Sequence, residues 1–189
     1  MSNLTKAAIK QSFIRLLNDR PLAKITVRDI VEDCGINRNS FYYHFTDIPS
    51  LLEEIVTEQA AEIIAAYPTI DSIETCLLAA VRFARENKRA ILHIYTSMSR
   101  PVYDNYLWQV CEAVVTKYID TLLADNPIDE SDRRLCIRLY KGICFGVASE
   151  WIYSGMHSDI EADLHRICEL KAGMAEEVLR RCRKPDPSA

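Results

Sequence analysis

The sequence predicts an all-α protein, with a small N-terminal three-helix domain that contains a helix-turn-helix and a larger C-terminal helical domain. Apolar residues recur three and four positions apart along nearly every segment, which is the period of one helix face. The 189 residues include only 5 Gly and 7 Pro, and so few helix-breaking residues favour long helices over a turn-rich β fold. The chain is 49% hydrophobic and 26% charged, which provides enough apolar material for a sizeable core.

The first two helices have clear boundaries in the sequence. Ile9 and Phe13 mark the apolar face of the first helix, and Pro21 disfavours helix at the residue before it. Thr26 is expected to begin the second helix as its N-cap, because Asp29 three residues later completes a capping-box pattern.

A short turn joins the second helix to a third. Gly35 can supply the positive φ that often ends a helix, and Asn37 is expected to be the next N-cap. The third helix is predicted to run through Phe45, with Phe41 and Phe45 in the core. Two short helices joined by about three residues have the spacing of a helix-turn-helix.

The predicted domains follow from these elements. Residues 1–46 form the helix-turn-helix domain, and residues 47–66 form a helix that is the only expected connection to the next domain. Residues 67–183 form the C-terminal helical domain, which we expect to serve dimerisation and ligand binding, and residues 184–189 form a disordered tail. The helices of this C-terminal domain are predicted at 72–86, 88–98, 102–124, 130–153 and 160–182, with breaks at 87, 100–101, 125–127 and 155–158.

Positive charge is concentrated at the N-terminus, although the whole chain has a net charge of −4. Residues 1–50 carry seven Lys or Arg against five Asp or Glu, whereas residues 51–189 carry sixteen against twenty-two. Local charge at a contact surface matters more than the total charge. The acidic total therefore does not exclude nucleic-acid binding by the N-terminal domain.

The third helix carries side chains suited to DNA. A helix-turn-helix places the N-terminal half of its second helix in the major groove, where Arg can bond guanine and Asn can bond adenine. Thr, Tyr and His side chains suit phosphate contacts, and Arg28 in the preceding helix is positioned for either a base or a phosphate. The alternative is a helical corner with a solvated polar face. The candidate DNA-binding residues are Thr26, Arg28, Asn37, Arg38, Asn39, Ser40, Tyr42, Tyr43, His44 and Thr46.

Residues 6–52 resemble the DNA-binding domain of the TetR family of bacterial transcription regulators. The resemblance rests on the runs TVRDI at 26–30, GIN at 35–37, FYYHF at 41–45 and LL at 51–52. It implies a homodimeric regulator of double-stranded DNA, usually a ligand-responsive repressor, that dimerises through its last two helices. Residues 142–152 also resemble, more weakly, the C-terminal domain of regulators of the dihydroxyacetone kinase operon.

One position departs from the TetR pattern. Family members often carry Lys near the start of the fourth helix as a phosphate contact, whereas this chain has the run TDIP at 46–49. The resemblance therefore implies that this phosphate contact is either weaker here or made by backbone N–H groups.

The helix predicted at 130–153 is apolar on nearly all sides and requires burial on more than one face. Two glycines four residues apart lie on one face and permit close backbone approach. We expect this helix to form a homodimer seam, because a two-fold DNA site suits a two-fold protein. The alternative is a core helix of the monomer. The candidate interface residues are Gly142, Phe145, Gly146 and Trp151.

Residues 92–111 are rich in aromatic and amphipathic side chains, which are typical of small-molecule pockets and equally of an ordinary helical core. An unidentified small-molecule effector is therefore one hypothesis. Its alternative is a regulator or adaptor controlled by a protein partner. The candidate ligand-binding residues are His93, Tyr95, Met98, Tyr103, Tyr106, Trp108 and Cys111.

The sequence contains none of the motifs GxGxxG, GxxxxGK[ST], GxSxG, SxxK or HExxH, so we predict neither catalytic residues nor a cofactor. A helical enzyme or carrier with an incidental helix-turn-helix is the remaining alternative. His165 and Cys168 lie one turn apart, but two ligands do not complete a structural zinc site, so no metal is predicted.

The cellular location of the protein is predicted from its cysteine pattern and from the lack of a membrane-spanning segment and of a signal peptide. The seven cysteines are scattered without a CxxC motif, and we predict that they are reduced, buried and apolar in role. The longest run without a charged residue is ten residues, at 90–99, against the roughly 18 needed to span a bilayer. The N-terminus lacks the features of a signal peptide, so we predict a cytoplasmic protein.

Overall fold

The computed structural model describes residues 2–67, 73–124 and 128–182, and every regular element in these ranges is helical. The predicted all-α class is confirmed. No described helix is both long and apolar enough to cross a membrane. The α-helices are α1 (Ser2–Asp19), α2 (Val27–Cys34), α3 (Arg38–His44), α4 (Ile48–Ala66), α5 (Ile73–Glu86), α6 (Lys88–Ser97), α7 (Arg100–Leu123), α8 (Glu130–Tyr153), α9 (Ile160–Lys171) and α10 (Met174–Cys182). A 3-10 helix at Leu22–Lys24, which the sequence pattern does not predict, lies between α1 and α2.

The predicted bounds of the later helices are close to those observed, with two exceptions. One is the single helix predicted at 160–182, which is wrong because α9 ends at Lys171 and α10 begins at Met174. Gly173 lies between them with a φ of 77°, in the left-handed region that glycine adopts without a Cβ clash. The predicted break at 125–127 and the predicted tail at 184–189 lie outside the described residues.

The other exception is the predicted break at 100–101, which is wrong because α7 begins at Arg100. Pro101 lies in the first turn, where a missing N–H costs no intrahelical hydrogen bond and the fixed φ of proline suits a helix. The backbone N–H groups of Val102 and Tyr103 both donate to the carbonyl oxygen of Ser99, at 3.0 and 3.1 Å.

The chain folds into two compact units. The N-terminal unit comprises Met1–Gln59 and Phe83–Leu107, and the C-terminal unit comprises Ala60–Arg82 and Trp108–Ala189. The boundaries fall inside α4, α5 and α7, so three helices continue from one unit into the other. The expectation that the fourth helix alone connects the domains stays a prediction, because these compact units have other bounds than the predicted domains. The functional boundaries at residues 46 and 66 stay predictions, because compactness does not show which residues bind DNA or a ligand.

The core of the N-terminal unit fixes the position of α3. Its fully buried side chains include Ile9 and Phe13 of α1, Ile30 of α2, Phe41 of α3 and Leu51 of α4. Burying a large apolar side chain is worth about 1.5–3 kcal/mol, so several such contacts hold the short α3 firmly against α1, α2 and α4. The α6 helix packs against α1 in the same unit, although the two are far apart in sequence.

In the C-terminal unit, α7 and α8 are antiparallel. Arg133 Nη2 lies 2.6 Å from Asp120 Oδ1, and Lys141 Nζ lies 2.6 Å from Glu112 Oε2. A step of eight residues along α7 thus corresponds to a step of eight residues back along α8. The buried residues between the helices are Val115, Ile119, Leu122, Cys136, Ile137 and Tyr140.

Candidate DNA-binding surface

A capping box begins α2, as the sequence predicts. Thr26 Oγ1 accepts the backbone N–H of Asp29 at 3.3 Å, and Asp29 Oδ2 accepts the backbone N–H of Thr26 at 2.8 Å. The Thr26 hydroxyl also donates to Asp29 Oδ2 at 2.6 Å. These hydrogen bonds, with the nearby Arg20 guanidinium, hold the pKa of Asp29 below its usual value. The Thr26 side chain is therefore engaged in the cap that sets the direction of α2.

The turn before α3 has the conformation that its sequence predicts. Gly35 adopts a left-handed φ of 68° at the end of α2. Asn37 is the N-cap of α3, and its Oδ1 accepts the backbone N–H of Ser40 at 2.8 Å and the Ser40 hydroxyl at 3.1 Å. Two of the candidate DNA-binding residues, Asn37 and Ser40, therefore position the helix through their own hydrogen bonds.

The two faces of α3 differ sharply in exposure. Phe41 and Phe45 are 0% and 3% exposed, which confirms that they belong to the core. His44 is half-buried, and its ring lies 5.0 Å from that of Tyr43 in an edge-on contact. The opposite face is exposed and carries Arg38, Asn39, Tyr42 and Tyr43. This face presents a guanidinium, an amide and two phenols to solvent.

Most cations of residues 1–50 are paired with carboxylates. Within the described chain, Lys24 and Arg38 are the two cations of this segment with no carboxylate partner, and both are exposed. They can therefore neutralise a phosphate or bond a base without breaking an ion pair. The pairs are Lys6–Glu54, Lys10–Glu54, Lys10–Glu58, Arg15–Asp33, Arg20–Asp29 and Arg28–Glu32.

Arg28 is exposed but not free. Its Nε lies 2.7 Å from Glu32 Oε1, one turn along α2, and both side chains are more than 60% exposed. The hydrogen bond to Glu32, together with its charge, raises the pKa of Arg28. An exposed pair of this kind contributes little to stability because solvent screens it, so a phosphate can compete with Glu32 for the guanidinium.

The start of α4 is already capped by a carboxylate. Asp47 Oδ1 accepts the backbone N–H of Ser50 at 2.8 Å, and the backbone N–H of Asp47 donates to Ser50 Oγ at 3.1 Å. Pro49 has no N–H to offer. The negative charge of Asp47 therefore occupies the position where a backbone-bound phosphate was expected, and this geometry favours the weaker-contact alternative. Thr46, just before it, is exposed.

Two family models match this chain. The one described as bacterial regulatory proteins of the tetR family matches residues 14–55, which include α2, the turn and α3. The one described as a transcriptional regulator C-terminal region matches residues 71–171, more than half of the chain. The chain belongs to the TetR family. It is a transcription regulator with a helix-turn-helix DNA-binding domain, and family membership points away from an enzyme.

One relative matches the N-terminal part of the pattern and is described as a helix-turn-helix regulator. An uncharacterized HTH-type transcriptional regulator of Bacillus subtilis (strain 168), YxbF, is 29% identical over 58 residues, which are 31% of this chain and 15% of YxbF. The chain thus aligns with only a small part of that relative.

Two solved structures share the fold over most of the chain. The dihydroxyacetone kinase operon activator DhaS has a TM-score of 0.71 at 21% identity, covering 92% of this chain and 97% of DhaS. Salmonella enterica GusR has a TM-score of 0.58 at 15% identity, covering 93% of this chain and 95% of GusR. At these identities the likeness shows a common fold.

The seven candidate ligand-binding residues of this TetR regulator do not belong to one compact unit. His93, Tyr95, Met98, Tyr103 and Tyr106 lie in the N-terminal unit. Trp108 and Cys111 lie in the C-terminal unit. Only Tyr103, Tyr106, Trp108 and Cys111 lie on α7, which continues from one unit into the other.

In the N-terminal unit these aromatic side chains contact near neighbours. Tyr103 is 7% exposed, and its ring lies 5.2 Å from that of Tyr95 in an edge-on contact. Burial raises the pKa of Tyr106, and the negative charges of Glu53 and Asp47 raise it further. These contacts are typical of the ordinary helical core that the sequence left as an alternative.

Met98 lines an apolar cavity of about 250 Å³ in the N-terminal unit. No charged or hydrogen-bonding side chain lines it, and it is smaller than the roughly 300–1,000 Å³ of most small-molecule sites. It could admit only a small apolar group. The other lining residues are Leu22, Ala23, Ile25, Ile48, Pro49 and Leu52.

The candidate dimer residues divide into two kinds. Trp151 is 5% exposed, and Phe145 stacks on Trp108 of the same chain with ring centres 4.3 Å apart, so both are engaged within the protomer. Gly142 and Gly146 lie on the exposed side of α8, and a Cβ on either would meet nothing within 4 Å.

The exposed side of α8 also carries large apolar residues that the sequence analysis missed. Leu135, Leu139 and Ile143 are 59%, 54% and 41% exposed, and they lie four residues apart. Their spacing was available from the sequence. Because α8 is apolar nearly all round, however, periodicity alone could not separate this face from the core face.

Proposed function

We propose that this TetR regulator binds a palindromic operator as a homodimer, acts in the cytoplasm as a repressor, and changes state when an effector binds. The observation that carries the proposal is the exposed face of α3, where Arg38 and Asn39 project beside Tyr42 and Tyr43 while Phe41 anchors the helix in the core. This face lies on the helix that enters the major groove in helix-turn-helix proteins.

We assign base contacts to Arg38 and Asn39, because they are exposed at the start of α3 and Arg38 has no carboxylate partner in the described chain. Arg bonds guanine and Asn bonds adenine through paired hydrogen bonds. Phosphate contacts fix the position of the protein along the duplex and do not determine which base sequence it recognises. The phosphate contacts are assigned to Arg28, Tyr42, Tyr43, His44 and Thr46, and the positioning of α2 and α3 to Thr26, Asn37 and Ser40.

The proposed dimer seam is the exposed face of α8. Leu135, Leu139 and Ile143 form an apolar row that a single protomer leaves in water. Gly142 and Gly146 lie beside it and leave room for a second helix. A two-fold seam would pair two copies of α3 at the roughly 34–36 Å spacing of successive major grooves. Phe145 and Trp151 pack within their own protomer, so we assign to them the positioning of α8 and not direct contact with the second copy.

An effector would act by binding one conformation of the dimer more tightly than another, where the two conformations differ in the spacing of the DNA-binding domains. A differential affinity of about 1–3 kcal/mol is enough to matter. Because α4, α5 and α7 all continue between the units, we assign the transmission to these three helices. The effector is either a small molecule or a protein partner.

The test is selection of the purified full chain on a random duplex library, followed by a salt titration on the enriched duplex and by sedimentation. A two-fold palindrome, a steep salt dependence and a dimer are expected. Enrichment of nothing would contradict specific DNA binding by the chain alone. Transcription in vitro from a promoter that carries the selected site then gives the sign, with a fall in transcript expected for a repressor.

A further inference from the structure

Lys24 is held at a fixed position just before the helix-turn-helix. It ends the 3-10 helix Leu22–Lys24, two residues before the N-cap of α2. The backbone N–H of Lys24 donates to the carbonyl oxygen of Pro21 at 2.9 Å, and that of Ile25 donates to the carbonyl oxygen of Leu22 at 3.0 Å. Ile25 is 5% exposed and belongs to the core of the N-terminal unit. The fold therefore fixes the backbone of Lys24 and leaves only its side chain to be placed.

The side chain of Lys24 lies on the outer surface at the start of α2. The backbone is extended at Ile25 and Thr26, with φ of −104° and −115° and ψ of 128° and 160°. Successive side chains of an extended chain point to opposite sides, and Ile25 points into the core. Lys24 and Thr26 therefore flank it on the outer side, and both are exposed. Arg28, in the first turn of α2, is exposed as well.

The segment that carries Lys24 packs beside the first turn of α4. Ile25 lines the same apolar cavity as Ile48 and Pro49 of α4. The first turn of α4 is capped by Asp47, whose carboxylate accepts a backbone N–H there. A negative charge at this position repels a phosphate, and a positive charge on the neighbouring segment reduces that repulsion. Lys24 supplies such a charge.

The ammonium group of Lys24 is available for a new partner. Among the residues that the structure describes, no carboxylate pairs with it. The two nearest cations in the chain are both paired. Arg20 lies 3.1 Å from Asp29, and Arg28 lies 2.7 Å from Glu32. These two must share or release a carboxylate before they neutralise a phosphate, whereas Lys24 gives up only water and counterions.

We propose that Lys24 binds a phosphate of the DNA backbone beside the start of α2, and so extends the DNA contact of each protomer beyond the helix-turn-helix itself. In such proteins the first helix crosses the sugar-phosphate backbone while the second lies in the major groove. Lysine binds phosphate as a compact point charge and carries no fork that would read a base. The inference rests on the proposed DNA binding, but not on the palindrome or on the effector.

A phosphate contact has a salt dependence that a packing role lacks. Each neutralised phosphate contributes about −0.9 to the slope of log affinity against log salt concentration. Lys24→Gln should therefore make this slope shallower by about 0.9 for one bound protomer and by about 1.8 for the proposed dimer. Between about 50 and 200 mM salt, the affinity advantage of the natural chain over the variant should shrink by about 3.5-fold for one protomer and about 12-fold for the dimer.

The experiment measures fluorescence anisotropy of the full chain with the selected duplex and with a scrambled duplex over a series of salt concentrations. Lys24→Gln should lose affinity equally on both duplexes, because a phosphate contact reads no base. Lys24→Arg keeps the charge and should keep the slope of the natural chain. Lys117→Gln, which removes an exposed cation from α7 in the C-terminal unit, is the matched control and should also keep that slope.

Three results would overturn the phosphate contact. The first is a slope of Lys24→Gln equal to that of the natural chain on both duplexes. The second is a lower affinity with an unchanged slope, which would indicate a structural role for Lys24. The third is a loss confined to the selected duplex, which would make Lys24 a base contact. Because the side chain is exposed, the melting temperatures of both Lys24 variants should match that of the natural chain.

Failure of the Lys24 contact can be distinguished from failure of the proposed function. If the library yields no palindrome but the chain binds the scrambled duplex, operator recognition fails, and the slope on the scrambled duplex still decides the role of Lys24. If the natural chain binds the selected palindrome and Lys24→Gln behaves identically, only the Lys24 contact fails. If the natural chain binds neither duplex at low salt, both fail.

Discussion

His93 Nδ1 lies 2.7 Å from the carbonyl oxygen of Leu17, which joins α6 to the last turns of α1. A helix C-terminus has carbonyl groups without intrahelical partners, so the imidazole N–H satisfies one of them. Residues 76 positions apart are thereby linked within the unit that contains the DNA-binding helices. His93 is a candidate ligand residue, and the structure shows that it also has this role in packing.

We therefore expect His93→Ala to destabilise the protein by about 0.5–1.5 kcal/mol, the usual contribution of one hydrogen bond in a folded protein. His93→Asn should recover part of this loss, because its amide nitrogen lies where Nδ1 was and can donate to the same carbonyl. The measurement is urea denaturation of both variants at a pH above 7. Equal stability of all three proteins would show that this bond contributes nothing.

Arg38→Ala should reduce affinity for the selected operator by about 1–3 kcal/mol, because Arg38 is assigned to a base and has no competing carboxylate in the described chain. Affinity for a scrambled duplex should change much less. Lys117→Ala, which removes an exposed cation from α7, is the matched control and should leave both affinities unchanged. An equal loss on both duplexes would make Arg38 a phosphate contact.

Asp47→Asn should strengthen binding to DNA of any sequence, because it removes a negative charge from the start of α4. Asn caps a helix about as well as Asp, so the unfolding free energy should change by only a few tenths of a kcal/mol. Fluorescence anisotropy with operator and scrambled duplexes provides the measurement. Unchanged affinity on both would place α4 away from the DNA backbone.

Gly146→Leu should disrupt the dimer while leaving each protomer folded. A Cβ at this position meets nothing within 4 Å in one chain, and Leu favours helix over Gly by roughly 0.5–1 kcal/mol. Sedimentation should therefore show a monomer with undiminished helical content, and Gly146→Ala should show an intermediate association. A stable dimer of Gly146→Leu would contradict the assignment of this α8 face to the seam.

His165 should make stability depend on pH. Its Nδ1 lies 2.8 Å from Glu74 Oε1, and this hydrogen bond, with the charges of Glu74 and Glu169, raises the pKa of His165 above 6.5. Since the folded state holds the proton more tightly, the stabilisation is complete below pH 6.5 and is lost as pH rises through the raised pKa.

The corresponding measurement is the melting temperature of the natural chain and of His165→Gln between pH 5.5 and 8.5. The natural chain should exceed the variant at the acidic end, and the difference should shrink toward the alkaline end. Subtracting the variant removes the titration of the other histidines. A constant difference would mean that the pair with Glu74 does not depend on protonation.

The local features of the DNA-binding domain could be predicted because short-range contacts produce them. The capping box joins Thr26 to Asp29, three positions later in the chain, and the Asn37 cap likewise joins Asn37 to Ser40. Gly35 ends α2 because of its own φ. Burial of Phe41 follows from the helical period. Each of these predictions depended on residues within one or two turns of each other, and each is confirmed.

The sequence gives the number of charged residues in the DNA-binding domain, but it does not show which of them form ion pairs. Seven cations against five acids predicted a mildly basic surface, yet five of those cations are paired with carboxylates, some of them from α4. The count therefore could not identify Arg38 as an unpaired cation at the start of α3. Pairing across helices depends on which faces pack together, and a composition does not contain that information.

By itself, the sequence determined the all-α class, the helix-turn-helix and the family, because helical period, caps and turn residues act over a few positions. Two features became visible only in the three-dimensional structure, namely the hydrogen bond by which His93 joins α6 to α1 and the continuation of three helices between the units. The physical reason is the same in each case. An apolar helix can bury any of several faces, and the choice among them depends on contacts with residues far away in the chain.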